Sequence, residues 1–370
     1  MKITDLTVTL FKWEGIPKGI AKRHTGAIGG DSQLGLLTLS TDEGVEGHAF
    51  LGSSGRSAEF DAGSLIRYLK PIVLGQNPLD RERLFEPMIN IQRNTTMRAV
   101  GAVDVALWDL GGKIVGLPIH RLLGSYRDSI PAYVSSPRLA SPEAYVAEAT
   151  EYQAKGLRGY KIHPPAVDVR EDIEVCTAVR KAVGHDYPLM LDSIWGYDYP
   201  QALEVGKAIQ ELGYYWYEDP LAGDDMLGYV KLKNHLDIPI MATEHSPGGF
   251  TAYAPWLVSQ ATDYLRGDVA VKGGITAVMK TAHLAEAFHM NYEIHHGGNS
   301  LNNIANLQAT MAIKNTEYFE ILLPGGAQKY GLIEEAEPDS DGMMHAIDEP
   351  GLGAKIDFEL IQNRKTAVLS

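Results

Sequence analysis

The chain has 370 residues and a formal net charge of −14. This acidic balance argues against nucleic acid as a main partner. The single cysteine, Cys176, excludes a disulfide framework and fits a reducing compartment. The N-terminal segment has no signal-peptide core, and no apolar run is long enough to span a bilayer. We therefore expect a cytoplasmic protein without nucleic-acid or membrane partners.

Residues 1–125 combine strands and helices and predict an α+β domain. The segments KITDLTVTLFKW and LGLLTLSTDEGVEGHAFL have the pattern of strands in a meander. The segments FDAGSLIRYLKPIVLG and NTTMRAVGAVDVALWDLGGKIVG have helical periodicity. Residues 331–370 are again rich in turns and strand-like, and we expect this C-terminal segment to return to the N-terminal domain.

Residues 126–330 alternate short apolar runs with amphipathic segments. The eight runs are IPAYVS, GYKIH, PLMLD, YYWYE, PIMATE, DYLRGD, NYEIH and YFEILL. The segment SPEAYVAEATEYQAKG between two of them predicts a helix with Ser141 as N-cap and Gly156 at its end. Eight strand–helix alternations predict a (β/α)8 barrel, and a doubly wound sheet is the alternative.

Ionisable residues stand at or near the ends of seven successive predicted strands. They are Lys161 and His163 in the second strand, followed by Asp192, Glu218, Glu244, Asp268, His295 and Glu320. The carboxyl ends of the strands form the active-site face of such a barrel. A single acid at a strand end usually caps a helix or is solvated, but seven in succession are hard to obtain by chance.

Three of these carboxylates predict a metal site. Asp192, Glu218 and Glu244 follow one another at intervals of 26 residues, which is one strand–helix unit. At one barrel mouth they would repel one another unless a cation were bound. Oxygen ligands suit a hard cation, so we expect Mg²⁺, with Mn²⁺ as the alternative.

Two histidines are candidates for proton transfer. His163 lies on the second predicted strand, and His295 lies on the seventh with Asp268 beside it on the sixth. A neighbouring carboxylate orients an imidazole and raises its basicity. With a metal between them, the two histidines suit abstraction of a proton α to a carboxylate, the cation stabilising the resulting enediolate.

The combination of motifs resembles the enolase superfamily and, within it, the mandelate racemase subgroup. AVGAVDVALWDLGGKIVGLPIHRLLG resembles the segment that joins the family's capping domain to its barrel, and PLMLD, WYEDP and MATE resemble the three metal-ligand strands. DVAVKGG places Asp268 at the aspartate of the subgroup's Asp–His dyad, where the muconate-cycloisomerase subgroup has a lysine. AEAFHMNYEIHH places His295 at the catalytic histidine, and EYFE places Glu320 at the glutamate of the eighth strand.

The sequence also departs from the family pattern. The common Lys-x-Lys of the second strand is Lys161-x-His163 here, and Ile194 replaces the usual polar residue two positions after the first ligand. His296 follows His295 directly, so a shift of one residue would exchange their roles. These departures leave the substrate open.

The resemblance implies a metal-dependent enzyme that removes the α-proton of a small anionic carboxylate substrate. Dehydration of an acid sugar to a 2-keto-3-deoxy sugar acid is the expected outcome. Racemisation or epimerisation and lactone cycloisomerisation are the alternatives, and a non-catalytic binding protein is a remote one. The complete set of predicted site residues argues against the last. The family also tends to form homo-oligomers.

The resemblance further implies roles for individual residues. Lys161 is expected near the substrate carboxylate, and Glu320 is expected to hydrogen-bond to it as a neutral acid in a desolvated site. The segment KGIAKRHTGAIGG is expected to close the site, and residues 51–57 form a second candidate closing loop. His245 is expected to be structural. The expected substrate contacts are Lys22, Arg23, His24, Trp195 and His296.

Overall fold

The computed structural model describes residues 1–17, 30–166 and 168–370. Three N-terminal strands form an antiparallel sheet: β1 (Ile3–Ile16), β2 (Gly30–Thr41) and β3 (Glu46–Leu51). The C-terminal strand β13 (Lys365–Leu369) joins this sheet beside β1, in the order β13-β1-β2-β3. The C-terminal segment therefore returns to the N-terminal strands.

Helices cover this sheet and lead towards the barrel. They are α1 (Glu59–Ser64) and α2 (Lys70–Val73), joined by the π-helical stretch Leu65–Leu69, then α3 (Arg81–Asn90), α4 (Met97–Val115) and α5 (Ile119–Leu123). The Thr96 side chain accepts a hydrogen bond from the Ala99 N–H, and Gly116 ends α4 with a φ of 71°. Most of α4 is buried because it lies between β3 and the barrel.

Eight parallel strands form the barrel. They are β4 (Ser129–Ser135), β5 (Tyr160–Ile162), β6 (Leu189–Asp192), β7 (Trp216–Glu218), β8 (Ile240–Ala242), β9 (Tyr264–Gly267), β10 (Asn291–Ile294) and β11 (Phe319–Leu322). Each pairs with its neighbour, and β11 pairs with β4. In the part of the chain that the structure describes, no ladder joins β10 to β11, so the barrel is nearly closed. The short strand β12 (Met343–His345) pairs with β4 from outside this order.

A helix follows each of the first seven barrel strands. These helices are α6 (Pro142–Ala154), α7 (Val169–Val183), α8 (Tyr199–Glu211), α9 (Met226–Lys233), α10 (Tyr253–Val258), α11 (Ile275–Ala287) and α12 (Ser300–Ala312). The helix α13 (Phe358–Arg364) precedes β13. Ser141 caps α6 by accepting from the Ala144 N–H, and Gly156 follows its end, as predicted. The predicted fold class, a (β/α)8 barrel with an α+β cap, is confirmed. Among the described residues, none of the helices has the length and apolarity needed to cross a bilayer.

Helix α4 attaches the cap to the barrel. A side chain at Gly101 would bring its Cβ to 2.3 Å from the carbonyl oxygen of Val269, so this close approach requires glycine. The buried carboxylate of Asp104 accepts hydrogen bonds from the backbone N–H and the hydroxyl of Thr276, at 2.9 and 2.6 Å. A side chain of α4 thus accepts hydrogen bonds at the N-terminus of α11. This contact fixes the N-terminal domain against the segment that follows β9.

Candidate active site

Three carboxylates converge at the carboxyl ends of neighbouring barrel strands. Asp192 is the last residue of β6, Glu218 is the last residue of β7, and Glu244 lies two residues beyond β8. One oxygen atom from each lies within 4.8 Å of the others, and all three side chains are buried. The structure brings together the three residues that the sequence spacing selected.

The chemistry of this cluster fits a divalent cation. Among the described residues, Glu218 Oε1 is buried without a hydrogen-bond donor, although the Nε of Arg266 lies against it. Buried carboxylate oxygens normally have a partner, so this oxygen retains a free lone pair. Three buried carboxylates that meet around one point form a donor set suited to Mg²⁺ or Mn²⁺.

Lys161 lies beneath these carboxylates as a buried counter-ion. Its Nζ is 2.8 Å from Glu320 Oε1, 3.0 Å from Glu218 Oε2 and 3.4 Å from Asp192 Oδ2. Burial and the Arg266 guanidinium oppose its charge, but the neighbouring carboxylates outweigh both and hold its pKa well above the ordinary value. The ammonium therefore lies on the floor of the site and not at its open mouth.

A second buried cation, Arg266, was not among the predicted site residues. This residue is in β9 and is fully buried. Its Nη2 donates to Glu320 Oε2 at 2.6 Å and to the Tyr133 hydroxyl at 2.9 Å. Arg266 precedes Asp268 by two residues, and residues i and i+2 of a strand share a face. Asp268 was predicted to lie at the barrel mouth, so the alternation of side chains in DYLRGD could have placed Arg266 inside the barrel as well.

Glu320 departs from its expected state. Its Oε1 faces Lys161, while its Oε2 accepts hydrogen bonds from Arg266 and from the backbone N–H of His296 at 2.8 Å. Burial opposes the charge, but Arg266 and Lys161 outweigh it and hold the pKa of Glu320 well below the ordinary value. The expectation of a neutral acid that donates to the substrate is wrong: this side chain is a carboxylate that accepts from two cations.

Asp268 and His295 form the expected pair. The Nδ1 of His295 lies 2.5 Å from Asp268 Oδ2. Asp268 Oδ1 accepts from the backbone N–H groups of Ala270 and Val271, which fixes the carboxylate. The other ring nitrogen, Nε2, faces Glu244 Oε1 at 3.2 Å. Burial disfavours the imidazolium, but Glu244 and Asp268 outweigh burial and raise the pKa of His295 to about 9.

His296 has a different environment. Its Nδ1 accepts a hydrogen bond from the Gly298 N–H at 3.0 Å, so Nε2 carries the proton of the neutral ring. Burial lowers the pKa of His296 to about 4. Since His295 contacts Asp268 and His296 does not, the structure identifies His295 as the partner of Asp268. The sequence alone left the choice between these two neighbouring histidines open.

His163 faces the ligand cluster from β5. Its Nδ1 lies 2.5 Å from the carbonyl oxygen of Ser136, and a carbonyl only accepts, so Nδ1 carries the hydrogen. Its Nε2 lies 2.9 Å from Asp192 Oδ2. The ring is therefore held in one orientation, and Nε2 is the atom available for proton transfer in the site.

The rings of Trp195 and His245 line the mouth of the site next to His295. Ile194 and Trp195 both have left-handed backbone conformations, with φ of 46° and 58°, and such strain persists where the surroundings enforce it. The Trp195 side chain is 42% exposed and packs edge-on against His245, whose ring centroid is 6.1 Å away. His245 in turn lies 5.9 Å from the His295 ring and 2.7 Å from Glu244 Oε1. His245, which was expected to be structural, therefore lies beside the metal-ligand cluster.

Two further buried ionisable groups adjoin the ligands. Burial and the carboxylates of Glu244 and Asp192 raise the pKa of Asp219 well above its ordinary value. The Lys272 ammonium donates to the carbonyl oxygen of Ser246 at 2.7 Å, and burial lowers its pKa to about 8. Lys272 thus connects the loop after β9 to the loop that carries Glu244.

Of the two candidate closing loops, the structure describes the second, residues 51–57. Lys22, Arg23 and His24 lie outside the described residues. In residues 51–57, Ser53 and Arg56 pair through two backbone hydrogen bonds. The side chain of Asn299 donates to the carbonyl oxygen of Gly52 at 2.8 Å. The second loop therefore lies against the segment that follows β10, beside the predicted site.

Comparison with known families covers both parts of the chain. The family described as Enolase C-terminal domain-like matches residues 144–360, which is more than half of the chain. The N-terminal domain family of mandelate racemase and muconate lactonizing enzyme matches residues 17–124.

Individual proteins resemble the chain over most of its length. L-talarate/galactarate dehydratase of Salmonella typhimurium is 30% identical over 86% of this chain and 79% of its own. Arabinonate dehydratase of Saccharolobus solfataricus is 27% identical over 96% of each chain. The crystal structure of D-glucarate dehydratase from Agrobacterium tumefaciens, complexed with magnesium, has 35% identity and a TM-score of 0.89, covering 99% of this chain and 100% of its own. With the barrel, the converging carboxylates and the Asp–His pair, these matches show that the chain is an enzyme of the enolase superfamily and belongs to its mandelate racemase subgroup.

Proposed function

We propose that the protein is a Mg²⁺-dependent dehydratase that removes the α-proton of an acid sugar and releases water to give a 2-keto-3-deoxy sugar acid. The observation that carries this proposal is the position of the ligand cluster between two imidazoles. The Nε2 of His163 faces Asp192, and the Nε2 of His295 faces Glu244. The dehydratases among the similar proteins support dehydration.

Asp192, Glu218 and Glu244 would hold the metal ion. When bound, the cation supplies positive charge that acidifies the α-proton and stabilises the enediolate. Lys161 and Arg266 contact Glu218 and Glu320 and hold them in place. Burial raises the pKa of Glu218 to about 7, and Arg266 and Lys161 oppose this rise by favouring the ionised form. Their positive charges would also help to stabilise the negative charge that the substrate carboxylate gains.

The two histidines divide the proton transfers. One Nε2 takes the proton from the α-carbon, whose electrons become the new carbon–carbon double bond as the β-hydroxyl departs. A protonated imidazole gives its proton to this hydroxyl, which leaves as water. The enol product then takes a proton at the β-carbon and loses the proton of its enol hydroxyl, which gives the 2-keto acid. Asp268 orients His295 throughout, and the Ser136 carbonyl orients His163.

Racemisation or epimerisation is the second candidate. The observation that favours it is again the pair of histidines on different sides of the ligands, because a racemase needs a base on each face of the α-carbon. The same first step then ends with return of a proton to the opposite face, and no water is lost.

The remaining parts of the proposal concern the assembly. We assign residues 1–125 and 331–370 to a capping unit that closes over a small anionic substrate, and residues 126–330 to the catalytic barrel. We also propose a cytoplasmic homo-oligomer. Light scattering of the purified protein tests the oligomeric state, and a monomer at micromolar concentration would contradict it.

A screen against a library of acid sugars tests the reaction. With Mg²⁺ present, we expect at least one substrate to yield a 2-keto acid, and exhaustive chelation should abolish this until Mg²⁺ is restored. An inverted stereocentre without a 2-keto product would favour the racemase. Absence of product and of α-proton exchange across the library, from protein that binds Mg²⁺, would favour a binding protein.

A further inference from the structure

We propose that Arg266 is a positioning residue for the divalent-metal site, holding the ligand Glu218 in a ring of four buried charges. This inference rests on the proposed function, because it concerns the same metal site. Arg266 lies under the ligands, so its part is to act through Glu218.

The ring alternates in charge. Lys161 contacts Glu218 Oε2 at 3.0 Å, and the other oxygen of Glu218 lies against the Nε of Arg266. Arg266 Nη2 contacts Glu320 at 2.6 Å, and the other oxygen of Glu320 lies 2.8 Å from Lys161. Each carboxylate thus faces both cations, and each cation faces both carboxylates. All four residues are at most 2% exposed.

The ring is one layer of the barrel interior. Its members come from alternate strands, β5, β7, β9 and β11, which is how the side chains of a (β/α)8 barrel form layers. Such layers usually hold bulky apolar side chains. A buried apolar cluster of Tyr133, Met190, Trp216 and Met241 also lies in this barrel. Trp216 precedes Glu218 by two residues on the same face of β7, so the charged layer lies on the mouth side of Trp216.

The shape of the guanidinium explains why an arginine occupies this position. One planar group reaches Glu218 through Nε and both Glu320 and the Tyr133 hydroxyl through Nη2. The compact ammonium of a lysine cannot present these donors in a fixed plane. Arg266 also leaves Glu218 Oε1 without a well-aligned hydrogen bond, so that this oxygen keeps a lone pair for a metal ion.

Metal affinity is therefore expected to depend on the geometry of Arg266 and not on its charge alone. Partners that orient metal ligands typically change metal affinity about 10-fold to 100-fold when they are replaced. Arg266→Lys keeps the positive charge but loses the planar arrangement of donors. We therefore expect metal affinity to fall by about 10-fold to 100-fold. Tyr133→Phe removes one hydrogen bond to the guanidinium and should weaken metal binding by about threefold, in line with the loss of one such bond.

Direct titration with Mn²⁺, with free Mn²⁺ followed by electron paramagnetic resonance, tests the inference. The variants are Arg266→Lys, Arg266→Gln and Tyr133→Phe, each checked for a folded state by circular dichroism. The matched control is Arg180→Lys. Arg180 is also a buried arginine, but among the described residues its guanidinium donates only to backbone carbonyls, such as those of Leu212 and Gly213.

Each outcome decides the matter. Weaker Mn²⁺ binding by folded Arg266→Lys, with unchanged binding by the control, supports the inference. Equal Mn²⁺ affinity in wild type and Arg266→Lys overturns the inference. Tighter Mn²⁺ binding by Arg266→Gln also overturns it, because it would show that the positive charge of Arg266 only repels the metal ion. If Arg266→Lys does not fold, an unchanged affinity of Tyr133→Phe overturns the inference. Wild-type protein that binds no Mn²⁺ would instead overturn the proposed metal site, and this inference with it.

Discussion

A carboxylate oxygen of Asp268 lies 2.5 Å from the Nδ1 of His295. Backbone N–H groups fix this carboxylate, and the contact turns the opposite ring nitrogen towards the metal-ligand cluster. Asp268 and His295 lie at the ends of neighbouring strands, and the Asp268 carboxylate fixes the orientation of the imidazole. Because one residue orients the other, their contributions to catalysis should not be independent.

Asp268→Asn and His295→Asn should each lower kcat/KM nearly as much as the double variant does. The physical reason is that residues that act as a unit show strongly non-additive losses. Kinetics of the two single variants and the double variant on the substrate found by screening provide the measurement. Losses that add fully on the free-energy scale would show that the pair does not act as a dyad.

Glu218→Gln should abolish the response of the protein to divalent cations. Wild-type protein should melt at a higher temperature when Mg²⁺ or Mn²⁺ is added, because a ligand of the native state stabilises it by mass action. The matched control is Glu293→Gln. Glu293 is also a buried glutamate of a barrel strand, but it contacts Thr316 and the backbone of Glu317. A melting temperature of Glu218→Gln that still rises with Mg²⁺ would contradict the ligand assignment.

Replacement of His163 or His295 by Asn should separate the two proton transfers. In a dehydratase, one variant should lose exchange of the substrate α-proton in D₂O, and the other should retain exchange while product forms slowly. In a racemase, each variant should exchange one enantiomer and fail with the other. Proton NMR of the substrate measures both. If both variants exchange and turn over like wild type, neither histidine is catalytic.

Much of the site could be predicted because it depends on local sequence. The strand ends are marked by short apolar runs followed by a charged residue, and the carboxyl ends of all eight strands meet at one face of the barrel. The positions of Asp192, Glu218 and Glu244 follow from these two facts. The contact of Asp268 with His295 follows as well, because their strands are neighbours in the barrel.

The rest depends on contacts across the barrel, which spacing along the chain does not specify. Arg266 and Glu320 are on strands separated by β10, and their pairing decides that Glu320 is ionised. The expectation of a neutral Glu320 considered only that its side chain is buried. It did not include Lys161 and Arg266, the two cations that contact its carboxylate. His245 likewise reaches the mouth because of the direction of the loop after β8, and the sequence pattern of MATEH contains no signal for that direction.

Trp195→Ala should raise KM and change kcat little. The indole lies at the mouth beside His245, away from the ring nitrogens that face the ligands. Loss of a contact made equally in the ground state and in the transition state weakens binding without slowing chemistry. Steady-state kinetics measure both constants. Tyr199→Ala is a control, because Tyr199 is the first residue of α8 and packs on His235. A fall in kcat with unchanged KM for Trp195→Ala would contradict a role in binding alone.

Asp104 should make the stability of the fold depend on pH. Burial raises the pKa of its carboxyl from 3.8 to about 7, although Thr276 donates two hydrogen bonds to it. Between these values the folded protein binds more protons than the unfolded chain, so this contribution to stability decreases as the pH rises and is lost above the folded pKa. From pH 5 to pH 8.5 the expected loss is about 2 to 3 kcal/mol, at 1.36 kcal/mol per pKa unit.

Asp104→Asn removes this titration and keeps a side chain of the same shape at the N-terminus of α11. The free energy of unfolding, measured by urea denaturation at pH 5 and at pH 8.5, should fall more for wild type than for the variant. The comparison cancels the other titrating groups, which both proteins share. At pH 5 the protonated carboxyl of Asp104, like the Asn amide, presents one carbonyl acceptor to Thr276, so the variant is expected to gain stability relative to wild type as the pH rises to 8.5. Parallel pH profiles of the two proteins would show that Asp104 does not hold its proton in the folded state, and that the cap is joined to the barrel through an ionised carboxylate.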